Sequence, residues 1–239
     1  LTDLTRNLPY DSYSFNFDGV NDYIDCGSSV GIIGTDVRTF SVWLKTSQTG
    51  LQTVLGTRDV NTNGWVIQLE LNSILFYNVL GGGNKGIYTT AANLTDGNWH
   101  HLALIRAGSA NNKIYVDGVS QTLDTTTFGA ENLSNPQSSK NMLIGAAHNS
   151  GGTFYRFFNG KISNVSIFDE ALTSTEVLKL YSNGMPQDLS TFTPAPISWW
   201  TLGSNSFFNG TNFICKDLIG SNDGTSVNAG VDALQGNTP

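Results

Sequence analysis

The chain has 239 residues, enough for one large β domain or two small ones. Hydrophobic residues make up 39% and charged residues only 13%, so the polarity comes from amides, hydroxyls and 26 glycines. That mixture suits strands joined by tight turns and argues against a disordered polyelectrolyte or a helical bundle. A net charge of −7 with scattered basic residues argues against nucleic-acid binding by phosphate neutralisation, and no apolar run of about 18 residues offers a membrane span.

In chain order, residues 13–17 alternate aromatic and small polar side chains, as a half-buried strand does. A turn at Asp18-Gly19 leads to a second strand at 23–26. Residues 39–45 set Phe40, Val42 and Leu44 against Ser41, Trp43 and Lys45. Three more strands are expected at 52–58, 64–71 and 74–79, followed by a loop at 81–84. Strands at 99–106 and 113–116 precede Asp117-Gly118, a two-residue hairpin signal because a type I′ turn needs positive φ twice. Late strands are expected at 141–147 and within 154–168, with a bulge at Ser163-Asn164. Thr173 and Glu176 form a capping box, and Leu172 with Val177 a hydrophobic staple. They predict one short helix of roughly ten residues, stopped at Asn183-Gly184. Residues 185–196 read as a connector. Residues 197–202 read as a strand whose paired Trp199 and Trp200 carry too much apolar area to dangle, and residues 231–239 as a flexible tail.

Turns every 8–12 residues with one late helix suggest a two-sheet antiparallel sandwich. The segment Tyr13-Ser14-Phe15-Asn16-Phe17-Asp18-Gly19 through Ile24 resembles the opening of laminin-G-like domains of the concanavalin A-like superfamily. Asp96-Gly97-Asn98-Trp99-His100-His101, Lys113 through Gly118, and Phe158 through Phe168 with the following helix resemble later segments of that family, in the same order. The resemblance implies an all-β jelly roll over 1–184. One departure is that Trp200-Thr201-Leu202 and Asp217 through Thr225, which commonly open such domains, here come last. Residues 197–230 are therefore expected to fold back on the same sandwich in permuted order. If they pair near residues 23–27, Cys26 and Cys215 become neighbours, either as free thiols or as a disulfide. The Ser198-Trp199-Trp200 segment also resembles laminin-G-like domains of marine bacteriophage structural proteins.

Because the superfamily contains glycoside hydrolases, paired carboxylates are the first thing to seek; that chemistry needs two of them about 5–9.5 Å apart. Related glucanases carry a Glu-x-Asp-x-x-Glu pattern. This chain has four glutamates, Glu70, Glu131, Glu170 and Glu176, and no such triplet. No zinc spacing, nucleophile elbow or phosphate loop occurs. His100 and His101 should point to opposite faces of their strand, one packed and one solvated. The expectation is a non-catalytic adhesion or structural module, of a virion in the bacteriophage resemblance, at an extracellular or virion surface. Its partners would be structural proteins of the same assembly or cell-surface glycans. Candidate glycan contacts are Trp65 beside Asn61 and Asn63, and Tyr155 with Asn149 and Arg156, since sugar binding needs an aromatic platform beside amides and charges. Members of the superfamily often bind calcium at a rim. Here Asp18, Asn21 and Asp22 crowd one turn and Asp169 follows the last strand, although turn chemistry alone accounts for Asp18 and Asn21. No cofactor is required by the sequence. A calcium-dependent lectin and a degenerate glycosidase are the alternatives.

Overall fold

The computed structural model describes residues 13–28, 36–58, 63–71, 73–80, 83–89, 91–108, 111–124, 140–149 and 152–239. Its strands, in chain order, are β1 (Ser14–Asp18), β2 (Tyr23–Asp25), β3 (Arg38–Lys45), β4 (Gln52–Gly56), β5 (Asn63–Glu70), β6 (Ser73–Leu80), β7 (Gly83–Thr89), β8 (Trp99–Arg106), β9 (Lys113–Val116) and β10 (Val119–Ser120). There follow β11 (Leu123–Asp124), β12 (Leu143–Ile144), β13 (Ala147–His148), β14 (Phe154–Tyr155), β15 (Asn159–Phe168), β16 (Ser198–Trp200), β17 (Ser206–Phe208), β18 (Phe213–Cys215), β19 (Gly224–Val227) and β20 (Leu234–Gln235). The helix α1 spans Ser174–Tyr181. The smaller sheet runs β10-β9-β8-β3-β15-β1-β20, with β16 also on β15. The larger runs β11-β7-β6-β5-β4-β12-β2-β19-β18-β17. β13 and β14 pair as a separate hairpin. The architecture is the expected all-β sandwich of two antiparallel sheets with one short helix.

Alternation along the strands builds the core between the layers. Phe40, Val42 and Leu44 of β3 and Leu102 and Leu104 of β8 meet Ile67 and Leu69 of β5 and Ile74 and Phe76 of β6. The hairpin at Asp117-Gly118 has φ of 50° and 76°, as a type I′ turn requires, and sets Val119 opposite Val116. β15 is the organising strand of the smaller sheet. β3 lies along one edge of it. The other edge is shared: β1 pairs with Phe15 opposite Ile162, and β16 pairs with Trp200 opposite Val165. The register on β3 slips between Ser163 and Ser166, where Asn164 has φ 49°, so the expected bulge lies between these two partners.

The C-terminal segment serves both layers. Successive residues of a strand point to opposite faces, so Trp200 enters the central core while Trp199 enters a second cluster on the outer side of the smaller sheet. There Ala103, Ile105, Tyr115 and Phe168 meet Val177 and Leu180 of α1. The helix begins with the capping box: the Glu176 N–H donates to Thr173 Oγ1 at 3.3 Å, and the Thr173 N–H donates to Glu176 Oε2 at 2.7 Å. Leu172 and Val177 are both buried, as a staple should be. The helix ends at Ser182 in the left-handed region, followed by a 3-10 turn over Ser182–Gly184. Tyr181 stacks on Trp43 with ring centroids 5.9 Å apart. Trp43 thus faces outward from its sheet, yet is buried beneath the helix.

Three expectations are corrected by the packing. The connector at 185–196 is not a bare linker, because Leu189 is buried in the cluster under the helix. The tail at 231–239 is tied down: Leu234 and Gln235 pair with Phe15 and Ser14, and Ser14 Oγ donates to the Asn237 carbonyl at 2.5 Å. Of the loop expected at 81–84, Gly83 and Asn84 begin β7, and 81–82 lie outside the described residues. Cys26 and Cys215 are buried free thiols, both raised in pKa by burial, Cys215 up to about 12. β19 runs between them and puts Gly224 opposite Cys215, with Cys26 on its other side. Two strand spacings of about 4.8 Å each separate their backbones, more than the 7 Å or so that a disulfide spans between α-carbons. The thiols are neighbours only because Gly224 places no side chain between them.

Candidate functional site on the helix-free face

The outer side of the larger sheet carries no helix among the described residues. Val66 and Gln68 of β5 and Tyr77 of β6 point there, opposite to Ile67 and Phe76 in the core. The β13–β14 hairpin leans over this face. Phe154 packs on Tyr23 at 4.5 Å between ring centroids, and the Thr53 N–H donates to the Arg156 carbonyl at 2.7 Å. The hairpin thereby delivers Tyr155 and Arg156 to the sheet.

Two arginines and two tyrosines interleave there. The Arg58 guanidinium lies 5.1 Å from the Tyr77 ring centroid and 5.9 Å from that of Tyr155. Arg156 lies 4.8 Å from the Tyr155 centroid. Arg58 Nη1 donates to Tyr155 Oη. Arg156 Nη1 donates to Gln68 Oε1 at 2.9 Å and to Tyr77 Oη at 3.0 Å. Tyr77 Oη donates to the same Gln68 oxygen at 2.8 Å, and Gln68 Nε2 donates to Thr53 Oγ1 at 3.0 Å. Burial pushes the Tyr77 phenol up in pKa, against the lowering effect of Arg58 and Arg156. Neither arginine forms an ion pair with a carboxylate of the described residues. Tyr77 and Gln68 are buried and hold the geometry, while Tyr155, Arg156 and Tyr88 are half-buried and present it.

The sequence candidates divide accordingly. Tyr155 and Arg156 come together, joined by Arg58, Gln68 and Tyr77, which sequence reading missed. The available signal was Gln68 and Tyr77 at outward positions of otherwise apolar strands. Asn149 sits in the hairpin turn, its N–H donating to the Thr153 carbonyl at 2.8 Å. Trp65 is corrected: it is 1% exposed, wedged between Phe40 at 4.5 Å and Phe76 at 6.4 Å in the core, and offers no platform. Its strand parity decides this, since it shares a face with Ile67. Asn61 lies outside the described residues, as does the Asn63 side chain.

Asp18 and Asp22 are engaged within their own turn. Asp18 Oδ1 accepts from the N–H groups of Val20, Asn21 and Asp22 at 2.7–3.3 Å, which outweigh burial and lower its pKa. Asp22 accepts from the Asp18 N–H at 3.2 Å and is raised by burial and by Asp18 beside it. The Asn21 carbonyl accepts from Asn228 Nδ2 at 3.1 Å. Asp169 is corrected as a partner of this turn. Asp18 pairs with Asn159 at one end of β15, and Asp169 follows the other end, about 30 Å away at roughly 3.3 Å per residue. Among the described residues no group of three or more His, Cys, Asp or Glu side chains could hold a metal ion.

His100 stands between Asp117, 2.8 Å from Nδ1, and Asp96, 3.0 Å from Nε2. With a carboxylate beside each nitrogen the charged ring, which alone can donate from both, is favoured, and the His100 pKa is raised, first by the Asp117 hydrogen bond. Asp96 is lowered to about 2, first by the Asn98 N–H. The histidine fills the gap between these two carboxylates, where hydrolysis of a glycosidic bond would need substrate. His101 points the other way, fully buried, with Nε2 2.8 Å from Ser41 Oγ and its pKa lowered to about 4 by burial. Asp217 accepts from the N–H groups of Trp199, Gly220 and Asn222, and Asp223 accepts from that of Asp217.

No curated protein sequence matches the chain. Among solved structures it is similar to a Bacteroides ovatus protein provisionally named as carbohydrate binding, at TM-score 0.66 and 20% identity, covering 97% of this chain and 60% of that one. It therefore spans somewhat more than half of that protein's length. It is similar to a heptameric SAP-like pentraxin of Limulus polyphemus at TM-score 0.51 and 15% identity, covering 87% and 93%. The binding domain of Botulinum neurotoxin serotype D aligns at TM-score 0.52 and 12% identity, covering 88% and 54%. At these identities the likeness establishes the shared sandwich. A laminin-G-like family model described as Concanavalin A-like lectin/glucanases superfamily matches residues 18–178, well over half of the chain, which therefore belongs to that family.

Proposed function

We propose that this chain is a non-catalytic binding module that contacts glycans at the helix-free face of the larger sheet. The observation that carries this reading is the Arg58–Tyr77–Tyr155–Arg156 lattice over Gln68. It combines half-buried aromatic surface with guanidinium donors held in place beforehand, so little side-chain entropy is lost when a sugar docks. The engaged state of Asp96 and Asp117 around His100 supports a role without bond cleavage, and the provisional name of the Bacteroides protein points the same way. The setting we propose is an extracellular or virion surface, where structural proteins of one assembly would be its neighbours; mass spectrometry of purified particles tests it.

A glycan array of the wild type and of Tyr155→Ala, each with and without a chelator, tests the binding reading. Binding that Tyr155→Ala abolishes and chelator leaves intact is expected. Binding indifferent to Tyr155 would remove the site, and turnover of an arrayed glycan would remove the non-catalytic reading.

A further inference from the structure

A second polar site lies on the opposite layer. At the rim of the smaller sheet a pocket of about 200 Å³ is lined by Asn16, Lys45, Thr46, Ser47, Asn159 and Lys161, with Gly97 and Gly160 completing it. The strands place these groups by register: Trp99 of β8 pairs with Lys45, Lys45 with Lys161, and Lys161 with Asn16. All four alternate with core residues and so lie on the outer face, beyond the end of the helix-covered region. Gly160, at φ 137°, lets β15 approach closely, since a Cβ there would sit 2.2 Å from the Lys45 carbonyl oxygen. Thr46 is fixed: its hydroxyl donates to the Asn159 carbonyl at 2.6 Å, and its carbonyl accepts from the Gly97 N–H at 3.0 Å.

The directly opposed lysines are the anomaly. Like charges facing each other across a ladder destabilise a sheet. In a chain of net charge −7 there was no shortage of acids to place there, yet no carboxylate lines the pocket, and neither lysine has an ion-pair partner among the described residues. Lys161 donates to Gln235 Oε1, a neutral group, and its pKa is lowered by burial and by Lys45. A local rule broken with only a neutral hydrogen bond to offset it is expected at functional or strained sites. A neutral sugar would leave the ammonium pair unmatched, and a bare oxyanion would leave the amide and hydroxyl lining unmatched. We infer that this pocket binds an acidic sugar residue, its carboxylate or sulfate between Lys45 and Lys161 and its hydroxyls against Asn16, Ser47 and Asn159.

The test is an NMR titration following the Gly97 and Gly160 amides, with glucuronate, glucose 6-sulfate, glucose and inorganic sulfate as probes. At least one acidic sugar should saturate both amides at least tenfold more tightly than glucose or sulfate alone, and the two acidic probes distinguish carboxylate from sulfate. Lys45→Gln and Lys161→Gln should each weaken that binding at least tenfold, and Tyr155→Ala should leave it unchanged, which separates this site from the helix-free face. Either lysine variant should melt no lower than wild type at low salt, because the repulsion is relieved. Equal affinity for glucose or bare sulfate, absence of saturable shifts, or full retention in both lysine variants would overturn the inference.

Discussion

The two outer faces of this sandwich start from the same kind of alternating strand and end differently. On the smaller sheet the outward positions under α1 and the C-terminal segment include Ala103, Ile105, Trp199 and Trp43, and that chain buries them. On the larger sheet the outward positions include Thr53, Gln68 and Tyr77, covered by arginine and tyrosine side chains. An apolar outer face must be covered by more chain, whereas a hydrogen-bonded aromatic and guanidinium face can meet solvent or ligand. The helix and the extension therefore decide which part of the smaller sheet's outer face is buried by chain.

The sharpest way to break this comparison is to truncate one large side chain on each face. Trp199→Ala should lower unfolding free energy by about 3–5 kcal/mol, the usual cost of deleting a buried tryptophan, and leave glycan affinity of the folded fraction unchanged. Tyr155→Ala, on the half-buried side, should cost about 1 kcal/mol or less while removing binding. Denaturant melts paired with the array measure both, and equal stability losses would erase the distinction. A smaller effect is expected at the helix that covers the structural face: Thr173→Ala should cost about 1 kcal/mol through the lost cap, read as a shift in the urea midpoint.

Acidity sharpens the contrast within one strand. His100, raised above 6.5, contributes stability that is fully present below pH 6.5 and lost as pH rises through its folded pKa. His101, lowered from 6.5 to about 4, contributes stability that is present above pH 6.5 and lost as pH falls toward 4. Melting temperature against pH should therefore fall on both sides of a maximum. His100→Gln should flatten the alkaline limb only, which a series of thermal melts resolves. The smallest effect is expected from metal removal: a chelator should leave the melting temperature unchanged, since turn N–H groups already hold Asp18. A drop of several degrees would restore a calcium site.

Much of the fold was legible because its signals are local. Asp117-Gly118 needs only positive φ, Thr173 and Glu176 need only one turn of helix, and Phe40, Val42 and Leu44 need only period two. The candidate site was less legible. Tyr155 and Arg156 are adjacent in sequence, but Arg58, Gln68 and Tyr77 reach them only through pairing of β4, β5 and β6 and the crossing of the hairpin. Trp65 misled because asparagines beside a tryptophan suggest a sugar platform, while its parity with Ile67 places it inside. The ordered tail was invisible for the same reason: the partners of Gln235 and Asn237 include Ser14 and Trp99, far away along the chain.

The most direct test is to map a bound glycan by backbone amide shifts of the labelled chain, using a ligand taken from the array. Shifts gathered around Tyr88, Tyr155 and Arg156, with α1 silent, are the expected pattern. Shifts centred on Leu178 and Lys179 of the helix instead, with the β13–β14 hairpin silent, would contradict the assignment of the two faces.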